Sequence, residues 1–76
     1  MKVKRFNQEK ELLETLIGKT LNEARELASF NGYEIRTIRE DNERFFVTMD
    51  LRFDRINLEI DNKKVTKASV GWNLVI

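Results

Sequence analysis

Two serines, Ser29 and Ser69, are the hydroxyl nucleophiles with the most obvious precedent for catalysis, yet the chain has no histidine and no cysteine. A serine needs a base within hydrogen-bond reach, held in place by a third group. Lysine is the base that remains, and no spacing in the sequence brings one to either serine. The carboxylates Glu40, Asp41 and Glu43 cluster closely, but a turn explains them, and a transition-metal site would favour imidazole or thiolate ligands. We therefore expect no enzyme, no metal and no cofactor. The side chains left with recognition chemistry are Arg36, Arg39, Arg44, Arg52 and Arg55. Their planar guanidinium groups suit carboxylates, phosphates and backbone carbonyls.

These groups sit on a short chain of 76 residues with a net charge of +1, 36% of it charged and 41% hydrophobic. One domain spanning residues 1–76 is the expected organisation. A core of this size is marginal, and without cysteine no disulfide reinforces it, which leaves self-association as a source of extra stability. Acids and bases are interspersed, so the basic excess of a nucleic-acid binder is missing. No apolar run is long enough to span a membrane or to form a signal peptide. The expected compartment is the cytoplasm.

The elements that must position the arginines follow from periodicity. Gln8 to Leu16 reads as a short helical or irregular lead-in that offers Leu12, Leu13 and Leu16 for packing, and Gly18 breaks it. Thr20 and Glu23 have the spacing of a capping box. Leu21, Ala24, Leu27 and Ala28 form a helical stripe, and Asn31-Gly32 closes the helix at about Phe30. Strands follow: Tyr33 to Arg39, an extended Phe45-Val47-Met49 stretch, Ile56-Leu58-Ile60 in strict alternation, and Val65 to Val70. The apolar phase flips between odd and even positions, which places a bend or loop between Thr48 and Asp54. Asp41-Asn42 offers a hairpin turn and Asp61-Asn62-Lys63 another. Two arrangements stay open for residues 39–49: a hairpin running on into a strand, or an exposed loop. The expected fold is α+β, one amphipathic helix on a small mixed or antiparallel sheet of three or four strands.

Leu16-Ile17-Gly18-Lys19-Thr20, with Asn22-Glu23-Ala24 behind it, resembles the helix entry of the potato inhibitor I / I78 family of serine-protease inhibitors. Residues Val47 to Asp61 resemble that family's reactive loop and following strand, and Val65 to Gly71 its closing strand. The likeness covers about residues 16–71. It implies a potato inhibitor I-like fold and a loop that enters a subtilisin- or chymotrypsin-like protease as a substrate would. By position, Met49 enters the specificity pocket, Met49-Asp50 is the scissile bond, and Thr48, Asp50 and Leu51 complete the loop. Arg55 supports it from below with Arg52 nearby. Asn57 stands where plant members commonly carry a second supporting arginine.

A different class of function fits the same fold. The arginines and the apolar end, with Trp72, Leu74 and Ile76 as contacts, suit an oligomer that binds a small anionic ligand, such as a phage-type sponge for a signalling nucleotide. A protein–protein adaptor is the other version. The implied partners are thus a serine protease, a small anion or a second copy, with no nucleic acid and no membrane.

Overall fold

The computed structural model describes residues 5–47 and 52–71, and the backbone of 73–75. Helix α1 spans Glu9–Leu16 and buries Leu12, Leu13 and Leu16 completely. The lead-in is thus a helix in its own right, a second one beside the single helix expected. Gly18 ends the approach to α2 with φ +87°. Its amide donates to the Val65 carbonyl at 2.8 Å, and the Val65 amide donates to the Lys19 carbonyl at 2.9 Å. This pair of bonds fastens the joint between the helices to the sheet.

Helix α2 spans Leu21–Phe30, and both halves of its capping box form. The Glu23 amide donates to Thr20 Oγ1 at 3.2 Å and the Thr20 amide to Glu23 Oε1 at 2.9 Å. Two backbone donors that a helix N-terminus leaves unpaired are thereby satisfied. At the other end Asn31 donates from Nδ2 to the Leu27 carbonyl and accepts the Phe6 amide, so one side chain closes α2 and anchors the chain before α1.

The strands are β1 (Glu34–Glu40), β2 (Glu43–Arg44), β3 (Arg55–Asp61), β4 (Lys64–Val70) and β5 (Asn73–Val75). They form one mixed sheet in the order β2-β1-β3-β4-β5. Only β1 and β3 run parallel; the other neighbours are antiparallel. The α+β arrangement is as expected, with two short strands, β2 and β5, flanking the three long ones. Asn62 and Lys63 both take positive φ, 51° and 65°, which is the backbone of a two-residue hairpin whose twist matches that of its strands.

One face of the sheet carries the core. Ile56, Leu58 and Ile60 of β3 are buried there, joined by Ala68 and Val70 of β4 and covered by the leucines of both helices. Val65 is at an odd position yet buried on the same face. The register shows why: Glu59 pairs with Lys67 but Ile60 pairs with Val65, so Thr66 is an extra residue that resets the alternation. A similar shift leaves Ile38 of β1 extra between Thr37 and Arg39. The opposite face is polar throughout β3, with Arg55, Asn57, Glu59 and Asp61 in alternation with the buried residues. Among the described residues no helix is long and apolar enough to cross a membrane.

Candidate functional site

The connection between the two parallel strands is the part of the fold that positions candidate function. β2 and β3 lie on opposite sides of β1, so the chain between Arg44 and Arg55 must cross from one side of β1 to the other. Arg44 stands opposite Arg39, and Arg55 opposite Glu34. The crossing therefore covers five residues along the strand and two strand spacings, about 19 Å in all. Eleven virtual bonds stretch to roughly 36–40 Å. The segment thus has about twice the length that its span needs.

Both feet of this segment are fixed. At the first, Asp41 takes the positive φ (53°) that a two-residue hairpin requires. Its amide donates to the Ile60 carbonyl at 2.8 Å and its Oδ1 accepts the Asn62 amide at 3.0 Å, joining the two hairpin turns. Arg39 reinforces the joint. Its Nε donates to Glu59 at 2.6 Å, Nη1 to the Asp41 carbonyl at 2.6 Å, and Nη1 and Nη2 grip both oxygens of Asp61 at 2.8 Å. Thr66, the bulge residue, donates to Asp61 Oδ2 at 2.6 Å. Arg39, and after it Thr66, hold the Asp61 carboxyl far below the usual carboxylate range. A planar fork on a carboxylate is strong and directional, so the turn of the β1–β2 hairpin is tied to the end of β3.

At the second foot, Arg52 grips Asp54 with Nε and Nη2 at 3.0 and 2.9 Å, and Nη2 also donates to Glu34 at 3.0 Å. Arg52 lowers the Asp54 pKa. The Glu34 amide donates to the Asp54 carbonyl at 2.9 Å, the bond that opens the parallel ladder. Phe53 lies against Gly71, whose φ is +53°.

Between the feet, the chain presents aromatic surface. Phe45 and Phe53 are 38% and 60% exposed, and Phe46 stands fully clear of the protein. The Phe45 amide reaches the Ile38 carbonyl at 3.0 Å, but residues 45–47 form no strand. This settles part of the open question over 39–49: residues 39–44 form a hairpin, and the described residues after it leave the ladder.

Of the residues expected to act, Thr48, Met49, Asp50 and Leu51 lie outside the described residues. So do Trp72 and Ile76 and the side chain of Leu74. Arg52 is at the second foot, engaged with carboxylates. Arg55 is half-buried on the polar face, next to the start of the segment's return. Asn57 accepts a hydrogen bond from Arg36 Nε at 2.9 Å, across the parallel pair. Sequence reasoning placed no role on Glu34, Asp61, Thr66 or Gly71, all of which fasten the feet. The sequence signal for Asp61 and Asn62 was the turn; for Glu34 there was none, because its partners lie 18 and 20 residues away.

No family model matches this sequence, and no curated protein is significantly similar to it.

Proposed function

We propose that this chain is a binding protein that blocks a subtilisin- or chymotrypsin-like serine protease, presenting the loop around Met49-Asp50 as a substrate-like segment. The observation that carries this reading is a connection about twice as long as its span, set between two feet that are each fastened by an arginine fork. A loop held near its bound shape loses less entropy on binding, and after cleavage its ends are kept together for religation. The likeness of residues 47–61 to the reactive region of potato inhibitor I-type proteins supports the same reading. Met49 fills the specificity pocket, and exposed Phe45 and Phe46 extend the apolar contact on the side preceding the scissile bond. The protein contributes no catalytic group of its own and acts on a protease of the same, cytoplasmic, compartment.

The anion-binding alternative has less beneath it. Arg39 and Arg52 are already engaged by Glu59, Asp61, Asp54 and Glu34, so two of the five arginines that motivated it face carboxylates. The test is titration of the protein against a panel of such proteases, with Met49→Ala and Met49→Phe alongside. Stoichiometric inhibition whose strength and target change with residue 49 is expected. Full protease activity at large excess of the protein sinks the proposal.

A further inference from the structure

We infer that Asn31-Gly32 is a modification site: a deamidation centre that the N-terminal segment holds shut, and whose reaction releases that segment one way. The inference is independent of the protease reading above.

Asparagine is among the side chains that break down without an enzyme. The backbone amide of the next residue gives up its proton, and its nitrogen bonds to the asparagine Cγ. The bond from Cγ to Nδ2 then breaks and ammonia leaves. Water opens the resulting five-membered imide at one carbonyl or the other, which yields aspartate or isoaspartate. Glycine in second place favours the attack, because no side chain shields the nitrogen. Asn31-Gly32 is the one Asn-Gly pair of the chain. Gly32 is exposed, and nothing lies within 4 Å of a Cβ built on it.

In the folded chain every participant is held away from the reaction. Asn31 Nδ2 donates to the Leu27 carbonyl at 2.9 Å, and Oδ1 accepts the Phe6 amide at 2.8 Å. The Gly32 amide donates to the Ser29 carbonyl at 3.0 Å, so its proton is engaged. Ring closure needs the Gly32 nitrogen to eclipse Cβ about the Cα–C bond. At the observed ψ of 11° it nearly eclipses the Asn31 nitrogen instead, and Cβ lies well off that plane. Deamidation must therefore wait for a local opening. The contacts that resist the opening come from the start of the chain. Besides the Phe6 bond, the Arg5 guanidinium sits 5.0 Å from the centre of the Phe30 ring, a cation–π distance. The Tyr33 hydroxyl donates to Glu9 at 2.8 Å. A cleft of about 110 Å³, bordered by Phe6, Glu9, Asn31 and Tyr33 among others, adjoins the site and has room for the water that hydrolysis consumes.

The product cannot restore the closure. A carboxylate has no proton to give the Leu27 carbonyl, and one oxygen could keep the Phe6 amide only with the other set against that carbonyl oxygen. It also puts negative charge at the C-terminal end of α2, where the helix dipole opposes it and the last turn holds no basic residue. Isoaspartate adds a backbone methylene as well, which shifts the Gly32 amide away from Ser29. Either product loosens residues 5–9 from the end of α2.

The test follows conversion of the full chain at mildly alkaline pH by mass spectrometry of the fragment holding residue 31. It compares folded wild type, wild type unfolded in urea, Phe6→Pro, which deletes the amide donor, and Tyr33→Phe, which keeps the ring and loses the Glu9 bond. Hydrogen exchange of the α2 and β3 amides reports whether each variant is folded. Folded wild type is expected to convert roughly a hundredfold more slowly than the unfolded chain, the factor implied by opening the three hydrogen bonds that hold Nδ2, Oδ1 and the Gly32 amide. Each variant, with its fold intact, should convert about two- to tenfold faster than folded wild type, as loss of one bond allows. Tyr33→Phe decides alone if Phe6→Pro does not fold. Asn31→Asp, made directly, should speed exchange of the amides of residues 6–9 and leave β3 and β4 unchanged. Equal conversion in folded and unfolded wild type overturns the proposal. So does a folded Tyr33→Phe that converts at the wild-type rate, or an Asn31→Asp protein whose amides at 6–9 exchange as before.

Discussion

Replacing Gly71 by alanine probes the second foot of the connection directly. A Cβ built on Gly71 falls 2.5 Å from Phe53 Cε1 and 2.8 Å from Cδ1, and the backbone has φ +53°. The left-handed conformation costs an alanine about 1–2 kcal/mol. The ring must also leave its seat. Phe53 is 60% exposed, and complete burial of a phenylalanine is worth about 1.5–3 kcal/mol, so losing the covered two-fifths costs about 0.6–1.2 kcal/mol. The sum is roughly 2–3 kcal/mol. Gly32 supplies the control: its φ is +85° but nothing lies within 4 Å of its added Cβ, so Gly32→Ala carries the backbone cost alone, about 1–2 kcal/mol. Each kcal/mol lowers the melting temperature of a domain this size by about 4–8 °C. Urea and thermal unfolding of Gly32→Ala, Gly71→Ala, Phe53→Ala and the Phe53→Ala/Gly71→Ala pair complete the cycle. With the ring gone, Gly71→Ala should cost no more than Gly32→Ala, a coupling of about 1 kcal/mol. A Gly71→Ala variant no less stable than Gly32→Ala, with zero coupling to Phe53, refutes the account of how this foot is fastened.

The acid limb of stability depends on Asp61. Its folded pKa is depressed by Arg39 and Thr66, so its contribution is present above the unfolded carboxylate value of about 3.9 and is lost as pH falls below it. Asp61→Asn should be less stable than wild type at neutral pH, with the difference in urea midpoint narrowing below about pH 4; a constant difference down to strong acid contradicts the Arg39 clamp. Tyr33 is the single tyrosine of the chain, and burial, with the Glu9 carboxylate bonded to its hydroxyl, pushes it up to about 12. Because the unfolded chain releases this proton near pH 10, stability falls as pH rises from there to the folded value. Absorbance titration of the folded protein should find the phenolate midpoint near that higher value, and a midpoint at the ordinary one removes the Glu9 contact. Thr20→Ala should cost about 1 kcal/mol, with Thr20→Ser close to neutral, if the capping box holds α2 as described; equal losses in both would point to packing of the threonine methyl instead.

The elements governed by local rules were legible in the sequence. The Thr20 and Glu23 box, the alternation of Ile56, Leu58 and Ile60, and the Asn62-Lys63 turn each depend on residues a few positions apart. Helix α1 was half-legible, since three leucines offered packing while Gln8 provides no cap to announce its start. Phe45, Val47 and Met49 alternate as a strand would, yet 45–47 leave the ladder. Alternation offers a strand a face but does not supply its ladder: β2 pairs with β1 only at Arg39 and Glu40, and after the Phe45 amide bonds the Ile38 carbonyl the chain forms no further strand along that edge. What stayed hidden was pairing at a distance. Arg36 meeting Asn57 depends on the parallel register of strands 21 residues apart, Arg39 meeting Asp61 on the bulge at Ile38, and Thr66 meeting Asp61 on the bulge in β4. Single-residue shifts of that kind reverse which side chains share a face, and no local spacing encodes them. Arg52 bonds Asp54 and Glu34, and Asn57 accepts from Arg36; the residues that the resemblance has them support lie outside the described ones.

The central claim is that a loop held at both feet is offered to a protease and released from it slowly. The measurement that bears on it most directly is the time course of subtilisin or chymotrypsin mixed with equimolar protein, following residual protease activity and, by mass spectrometry, hydrolysis of the Met49-Asp50 bond. The account predicts a stoichiometric loss of activity with that bond largely intact or in slow equilibrium with its cleaved form. Rapid, complete cutting within residues 45–52, with the protease active throughout, would make the segment an ordinary substrate and contradict it.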